Sequence, residues 1–303
     1  MLRRSALSRA GSKVRQKRLR HRPNLKSGFC RRGRVTRMMV SFPSSSSCGL
    51  RGHLRWCSAC ASGGHAIGQS ADLIAAGRQE RILCGGVQEI NWQAVCSFDA
   101  TEAFSLRVDD PTRASRPFDK DRDGLVPSGG AAVVALERMD LAEKRGANIL
   151  GEVLGYSFSS DGYKLSVPSG EGLERCMKDV IHRAGVSTQD IDYISAHATS
   201  TPIGDIKEAE AIYHVFGQDM PWVSSIKSMT GHEMWMAGAA LVVYGLLMSQ
   251  AGFIAPNLNF SRQEDGTPPL KIATETIDQQ PKLMLLNSAG FGGTNSCLII
   301  KAH

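Results

Sequence analysis

No aspartate or glutamate precedes Asp72, although 16 lysines and arginines fall in that stretch; the rest of the chain carries 20 basic and 29 acidic residues. The formal net charge of +7 is therefore local, concentrated in an Arg- and Ser-rich leader such as "SKVRQKRLRHRPNLK". That leader lacks the interleaved aromatic side chains on which bases stack, so no nucleic-acid partner is expected. An acid-free basic start has the composition of a disordered tail, of an organellar transit segment, or of sequence foreign to the folded unit. No apolar run reaches the ~18 residues of a membrane span. The longest, Met234 to Met248, has 15 residues and reads as a buried core helix, and no membrane partner is expected. No secretory apolar segment precedes the eight cysteines, which points to reduced thiols inside a cell. No second C-x-x-C pair follows Cys57 and Cys60, so no metal site is expected.

What is present is ordinary globular material, 42% hydrophobic and 21% charged. Periodicity predicts a helix over residues 62–76 closed by Gly77, then strands in "RILCGG" and "AAVVALE" separated by a polar insertion containing "RPFDKDRDGLVPSGG". A second series starts at Ile149: "ILGEVLGYSFSS" as strand, "GEGLERCMKDVIHRAG" as helix, "DYISAHA" as strand, and a helix beginning near Asp205. It continues with "WVSSIK" as a strand ending near Lys227, an apolar helix opened by His232, and two strands around the glycine turn of "KLMLLNSAGFGGTNSCLIIKA". This alternation predicts an α/β fold with a mostly parallel sheet covered on both faces. The chain divides into a leader (1–55), a first block (56–140) and a second block (141–303).

Cys60 stands just before the first predicted helix, where unpaired N–H groups and the helix dipole lower a thiol pKa. Its neighbours Ala59, Ala61, Ser62, Gly63 and Gly64 have little bulk, as at a nucleophile elbow. The competing account is a small buried hydrophobe. "SAHATSTPIGD" puts His197 at a strand end and lines the next turn with Thr199, Ser200 and Thr201, hydroxyls suited to an amide-rich ligand arm or to capping the helix. "SSIKSMTGHEMWMAGA" repeats the arrangement, with Lys227 five residues before His232 and able to keep it neutral by charge repulsion. The alternative is a solvated lysine and a core histidine. In "NSAGFGGTN", backbone N–H groups of the turn can face an oxyanion, or the turn is only a hairpin.

Taken together and in order, "SACASGGHAIG", "RPFDKDRDGLV", "SAHATSTPIGD", "KSMTGHEMWMAGA" and "NSAGFGGTN" resemble the elongating β-ketoacyl-[acyl-carrier-protein] synthases, with "GGVQEINWQAVCSFDA" closer to the class I branch. The resemblance implies a thiolase-like, layered αβαβα fold of two similar halves, the N-terminal half incomplete here. It implies decarboxylative Claisen condensation between an acyl-Cys60 thioester and malonyl-carrier protein. His197 and His232 would then stabilise the enolate, with Lys227 supporting His232. The N–H groups of Cys60 and Phe291 would form an oxyanion hole, and Thr199 and Thr201 would bind the phosphopantetheine arm. Phe291 would gate the acyl pocket, and Glu208 would belong to the network behind the histidines. No cofactor is implied, because phosphopantetheine arrives on the acyl carrier protein. That partner, a homodimer and a cytoplasmic location are expected, or a mitochondrion or plastid if the leader is a transit peptide. The chain departs from the family at Ala198, Ala289, Met234, Trp235 and Met236, and in the stretch before the cysteine. The alternative expectation is an inactive fragment or non-catalytic partner subunit, with β-strand edges left bare.

Overall fold

The computed structural model describes residues 57–303; the leader assigned to 1–55 lies outside them. At its centre, β3 (Gly151–Ser160), β7 (Thr294–Ala302), β6 (Leu283–Gly290), β4 (Tyr193–Ser195) and β5 (Trp222–Ser224) form one sheet in that spatial order. Its strands alternate as pleated strands must. Met284, Leu286, Leu298 and Ile300 face one apolar cluster, while Leu285, Cys297 and Ile299 face another.

The second cluster is closed by α4 (Glu171–Ala184) and α5 (Pro202–Phe216), which supply Leu173, Met177, Val180 and Ile212. On the first face lie α1 (Ser62–Ala75) and α7 (Ala237–Ala251). Beyond these two helices comes a two-stranded sheet of β1 (Arg81–Gln88) and β2 (Gly130–Glu137). Helix α7 is thus covered by β-structure on two sides, which explains a sequence apolar nearly all round. The segment Met234–Ala251 is long and apolar enough to cross a membrane, yet 67% of it is buried inside the protein. Where α1 and α7 cross, only small residues fit: a Cβ on Gly238 would stand 2.4 Å from the backbone nitrogen of Gly64. The short helices α2 (Trp92–Asp99), α3 (Met139–Lys144) and α6 (Lys227–Thr230) complete the set.

Four expectations need correction. The large sheet is mixed: β4 runs parallel to β5 and β6, but β6–β7 and β7–β3 are antiparallel. The β6–β7 turn is too short for a crossover, which forces antiparallel pairing. The strand expected to end near Lys227 stops at Ser224, because the chain bends into α6. The helix expected near Asp205 begins at Pro202, a residue suited to the first helical turn. His232 does not open the apolar helix: it bridges to Pro127, and a 3₁₀ turn, Met234–Met236, precedes α7. Strand β1 pairs with β2 and with no other strand among the described residues.

Candidate active site

The chain ends of β4, β5 and β6 and the start of α1 converge at one end of the large sheet, where α/β proteins place ligands. Cys60 sits in a tight turn before α1. Ala59 adopts φ 43°, a conformation side-chain-bearing residues seldom take, and Ser62 fastens the turn by donating from Oγ to the Ala59 carbonyl at 2.6 Å. Nε2 of His232 lies 3.1 Å from Cys60 Sγ. The His197 ring stands nearly perpendicular to that of His232, at 84° with centroids 5.4 Å apart. The backbone N–H groups of Cys60 and Phe291 favour the ionised sulfur and lower its pKa.

All four residues line a cavity of about 340 Å³, along with Thr199, Thr201 and Leu125. The Oγ1 atoms of Thr199 and Thr201 are 3.1 Å apart. The helix N-cap, Thr201, makes no side-chain cap, which leaves its hydroxyl to the cavity.

Electrostatically the site departs from one expectation. Burial pushes the Cys60 thiol up to about 12, instead of the helix terminus lowering it. The nearby Lys227 charge and the two N–H groups only partly offset a side chain 4% exposed. Burial likewise holds His232 well below 6.5, with Lys227 as the second cause, and His197 is held low by burial, Lys227 and His232. Both imidazoles are therefore neutral near pH 7. Lys227 is 1% exposed and Nζ has no hydrogen-bond partner among the described residues; burial lowers its pKa against the pull of Glu233 and Glu208. Glu208 accepts the N–H groups of His197 (2.8 Å) and Ala198 (2.6 Å), and Asn287 donates to it at 3.2 Å.

Several residues here carry no signal that the spacing of motifs revealed. Asp205, 1% exposed, accepts from the N–H groups of Thr199, Ser200 and Phe118. Arg122, inside the quoted "RPFDKDRDG", donates to the carbonyls of Thr201, Pro202 and Asp119 and pairs with Glu264 at 3.1 Å. These bonds clamp Ser200, whose φ of 71° is held further by Gly124 N–H on its carbonyl. The signal that points to Arg122 is charge: in that charged run Arg116, Asp119 and Arg122 are buried, while Lys120 and Asp121 stay exposed. Among the described residues no group of three His, Cys, Asp or Glu side chains is placed to hold a metal ion.

Comparison with known proteins agrees with this geometry. The family described as Beta-ketoacyl synthase, N-terminal domain, matches residues 10–142, and Beta-ketoacyl synthase, C-terminal domain, matches residues 150–261. A 3-oxoacyl-[acyl-carrier-protein] synthase 1 from Haemophilus influenzae is 46% identical over 248 residues, 81% of this chain and 60% of the relative. The crystal structure of a β-ketoacyl synthase from Burkholderia phymatum superimposes with TM-score 0.79 at 37% identity, covering 81% of this chain and 60% of the other. A structure of a type II PKS acyl-carrier protein in complex with its ketosynthase gives TM-score 0.81 at 29% identity, covering 86% and 65%. The chain thus spans about 60% of the length of the curated relatives it matches. With both domains of one family matched in order, and the cysteine and two histidines meeting in one cavity, the chain belongs to the β-ketoacyl synthase family.

Proposed function

We propose that this chain carries out the decarboxylative Claisen condensation of fatty acid synthesis, joining an acyl group held on Cys60 to malonyl-carrier protein. The observation that carries the proposal is the 3.1 Å approach of His232 Nε2 to Cys60 Sγ in a cavity that His197 and Phe291 also line. In the first half-reaction Sγ attacks the acyl thioester carbonyl while His232 takes its proton. A new carbon–sulfur bond forms, the old one breaks, and the departing pantetheine thiolate receives the proton. The oxyanion that develops meets the N–H groups of Cys60 and Phe291, each donor being worth on the order of 3 kcal/mol in such sites.

In the second half-reaction the malonyl thioester oxygen lies between His197 and His232. Carbon dioxide leaves, its bonding electrons form the enolate, and neutral imidazoles meet the charge. The carbanion attacks the acyl carbonyl on Cys60, the carbon–carbon bond forms, and Sγ departs as thiolate and is reprotonated. Thr199 and Thr201 hold the phosphopantetheine arm, Phe291 gates the acyl end, and Lys227 supports His232. Glu208 positions His197. Acyl carrier protein is the partner in this reading, supported by the related ketosynthase bound to its acyl-carrier protein. The chain works as a cytoplasmic homodimer without a resident cofactor.

A second reading, an inactive fragment or non-catalytic partner subunit of the same family, is favoured by the pairing of β1, among the described residues, with β2 alone. Incubation with acyl-carrier protein followed by intact-mass measurement separates the two. A mass gain of one acyl group, lost in Cys60→Ala, supports condensation; an unmodified native chain supports the second reading.

A further inference from the structure

Met234, Trp235 and Met236 depart from the small residues that the family resemblance places after the second histidine, and all three are buried, at 3%, 8% and 4% exposure. The chain turns sharply into them. His232 is fixed by its N–H to the Val126 carbonyl (2.7 Å) and by its carbonyl to the Ser128 N–H (2.9 Å), and Met234 then takes φ 50°. This turn sets Met234 and Trp235 in one apolar cluster with Leu125, against Phe98, Ala103 and Phe104.

Leu125, Phe98 and Ala103 also line the cavity that holds Cys60. Met234 and Trp235 do not line the cavity themselves; they pack against the layer of residues that do. The Phe98 ring is stacked on Phe104 (6.2 Å) and tilted on Phe291 (5.6 Å), which makes the layer continuous with the turn that supplies the oxyanion N–H. The cavity has apolar lining beyond Thr201 too, at Pro202 and Ile203, but the Leu125 and Phe98 layer is the one in ring contact with Phe291, and an acyl chain that leaves Sγ along it meets Leu125 and Phe98. At about 340 Å³ the cavity lies near the small end of the ~300–1,000 Å³ usual for ligand sites, and the carrier arm takes part of it.

Resting on the acyl-transfer reading above, we propose that Met234 and Trp235 fix the depth of the apolar end and make Cys60 selective for short acyl chains. A longer chain has to push Leu125 and Phe98 into side chains already packed behind them, and close-packed interiors resist such overfilling. The reaction that reads this out is thioester exchange: the Cys60 thiol forms its bond to the acyl carbon, the bond to pantetheine sulfur breaks, and pantetheine leaves as the thiol with the proton from Sγ.

The test gives the full chain butyryl-, octanoyl- or palmitoyl-pantetheine and follows the Cys60 adduct by intact mass. The butyryl adduct is expected to form at least about tenfold faster than the palmitoyl adduct. Trp235→Ala narrows that ratio, and Met234→Ala does so too and serves if the first variant does not fold. Equal rates for all three donors in the native chain overturn the inference while leaving acyl transfer to Cys60 standing. A ratio unchanged in the folded variants overturns it as well. No adduct with any donor removes the acyl-transfer reading and this inference with it.

Discussion

Sγ of Cys60 and Nε2 of His232 are 3.1 Å apart, yet Nδ1 of His232 has no hydrogen-bond partner among the described residues. In a triad the far nitrogen is oriented by a third side chain. Here backbone bonds to residues 126 and 128 hold the ring's segment instead, and the charge comes from Lys227, buried nearby.

Because burial raises the thiol to about 12, Cys60 is un-ionised in the resting site. Its thiolate fraction then climbs about tenfold per pH unit across the neutral and mildly alkaline range. Iodoacetamide alkylation of Cys60, followed by peptide mass, is expected to rise in step. Lys227→Met removes the charge that pulls this pKa down, so alkylation at a fixed pH slows. A rate already level at neutral pH in the native chain contradicts the assignment.

Glu208 is raised by burial to about 7 from 4.5, so between those values the folded protein holds a proton that the unfolded chain has lost. The sign follows: the contribution of Glu208 to stability is greatest in acid and diminishes as pH rises through about 4.5 to 7. Glu208→Gln has no such titration. Its stability relative to the native chain should improve across that window, by a few kcal/mol at most. Urea denaturation at several pH values measures the difference; a gap that is constant with pH rules the raised carboxyl out.

Arg122→Leu leaves the carbonyls of Thr201 and Pro202 without their donor and Asp205 without a neighbouring cation. Removing one member of a buried charged network typically costs about 3–5 kcal/mol. The denaturation midpoint should fall accordingly, and Arg122→Lys should recover only part of the loss, since an ammonium cannot reproduce the guanidinium fork. Full recovery by lysine would show that charge alone matters there.

Two glycines of α7 should respond oppositely to alanine. At Gly238 the new Cβ meets backbone at 2.4 Å, so Gly238→Ala costs about 1–3 kcal/mol. At Gly245 it meets the flexible Sδ of Met284 at 3.0 Å, and the helix gains up to about 1 kcal/mol in propensity. Thermal melts of the two variants check this; no loss at Gly238 would mean the helix crossing is not as tight as described, and an equal loss at Gly245 that buried Met284 does not give way.

Much of the site was legible because its parts are local. Cys60, His197, His232 and Phe291 each follow or precede a regular element by a few residues, and periodicity places those elements well. Strand direction was not legible, since the pairing of β3 with β7 joins residues far apart in sequence. The upward shift of the thiol was hidden for the same reason: helix position is a local property, whereas burial of Cys60 depends on segments far along the chain. Arg122 looked like part of a polar insertion, and only the fold brings it to the carbonyls after Ser200. Met234 and Trp235 read as core residues, which they are; their place behind the cavity wall emerges from the Leu125 contact.

Cys60 and His232, whose Nε2 lies 3.1 Å from its sulfur, are 172 residues apart in the chain. During synthesis the sulfur therefore leaves the ribosome long before that imidazole exists. Closing so distant a contact is slow, because chain entropy opposes it until intervening segments have packed. A nascent chain thus carries an uncoupled thiol, and the sulfur–imidazole contact arrives late, as a sign that maturation is nearly complete.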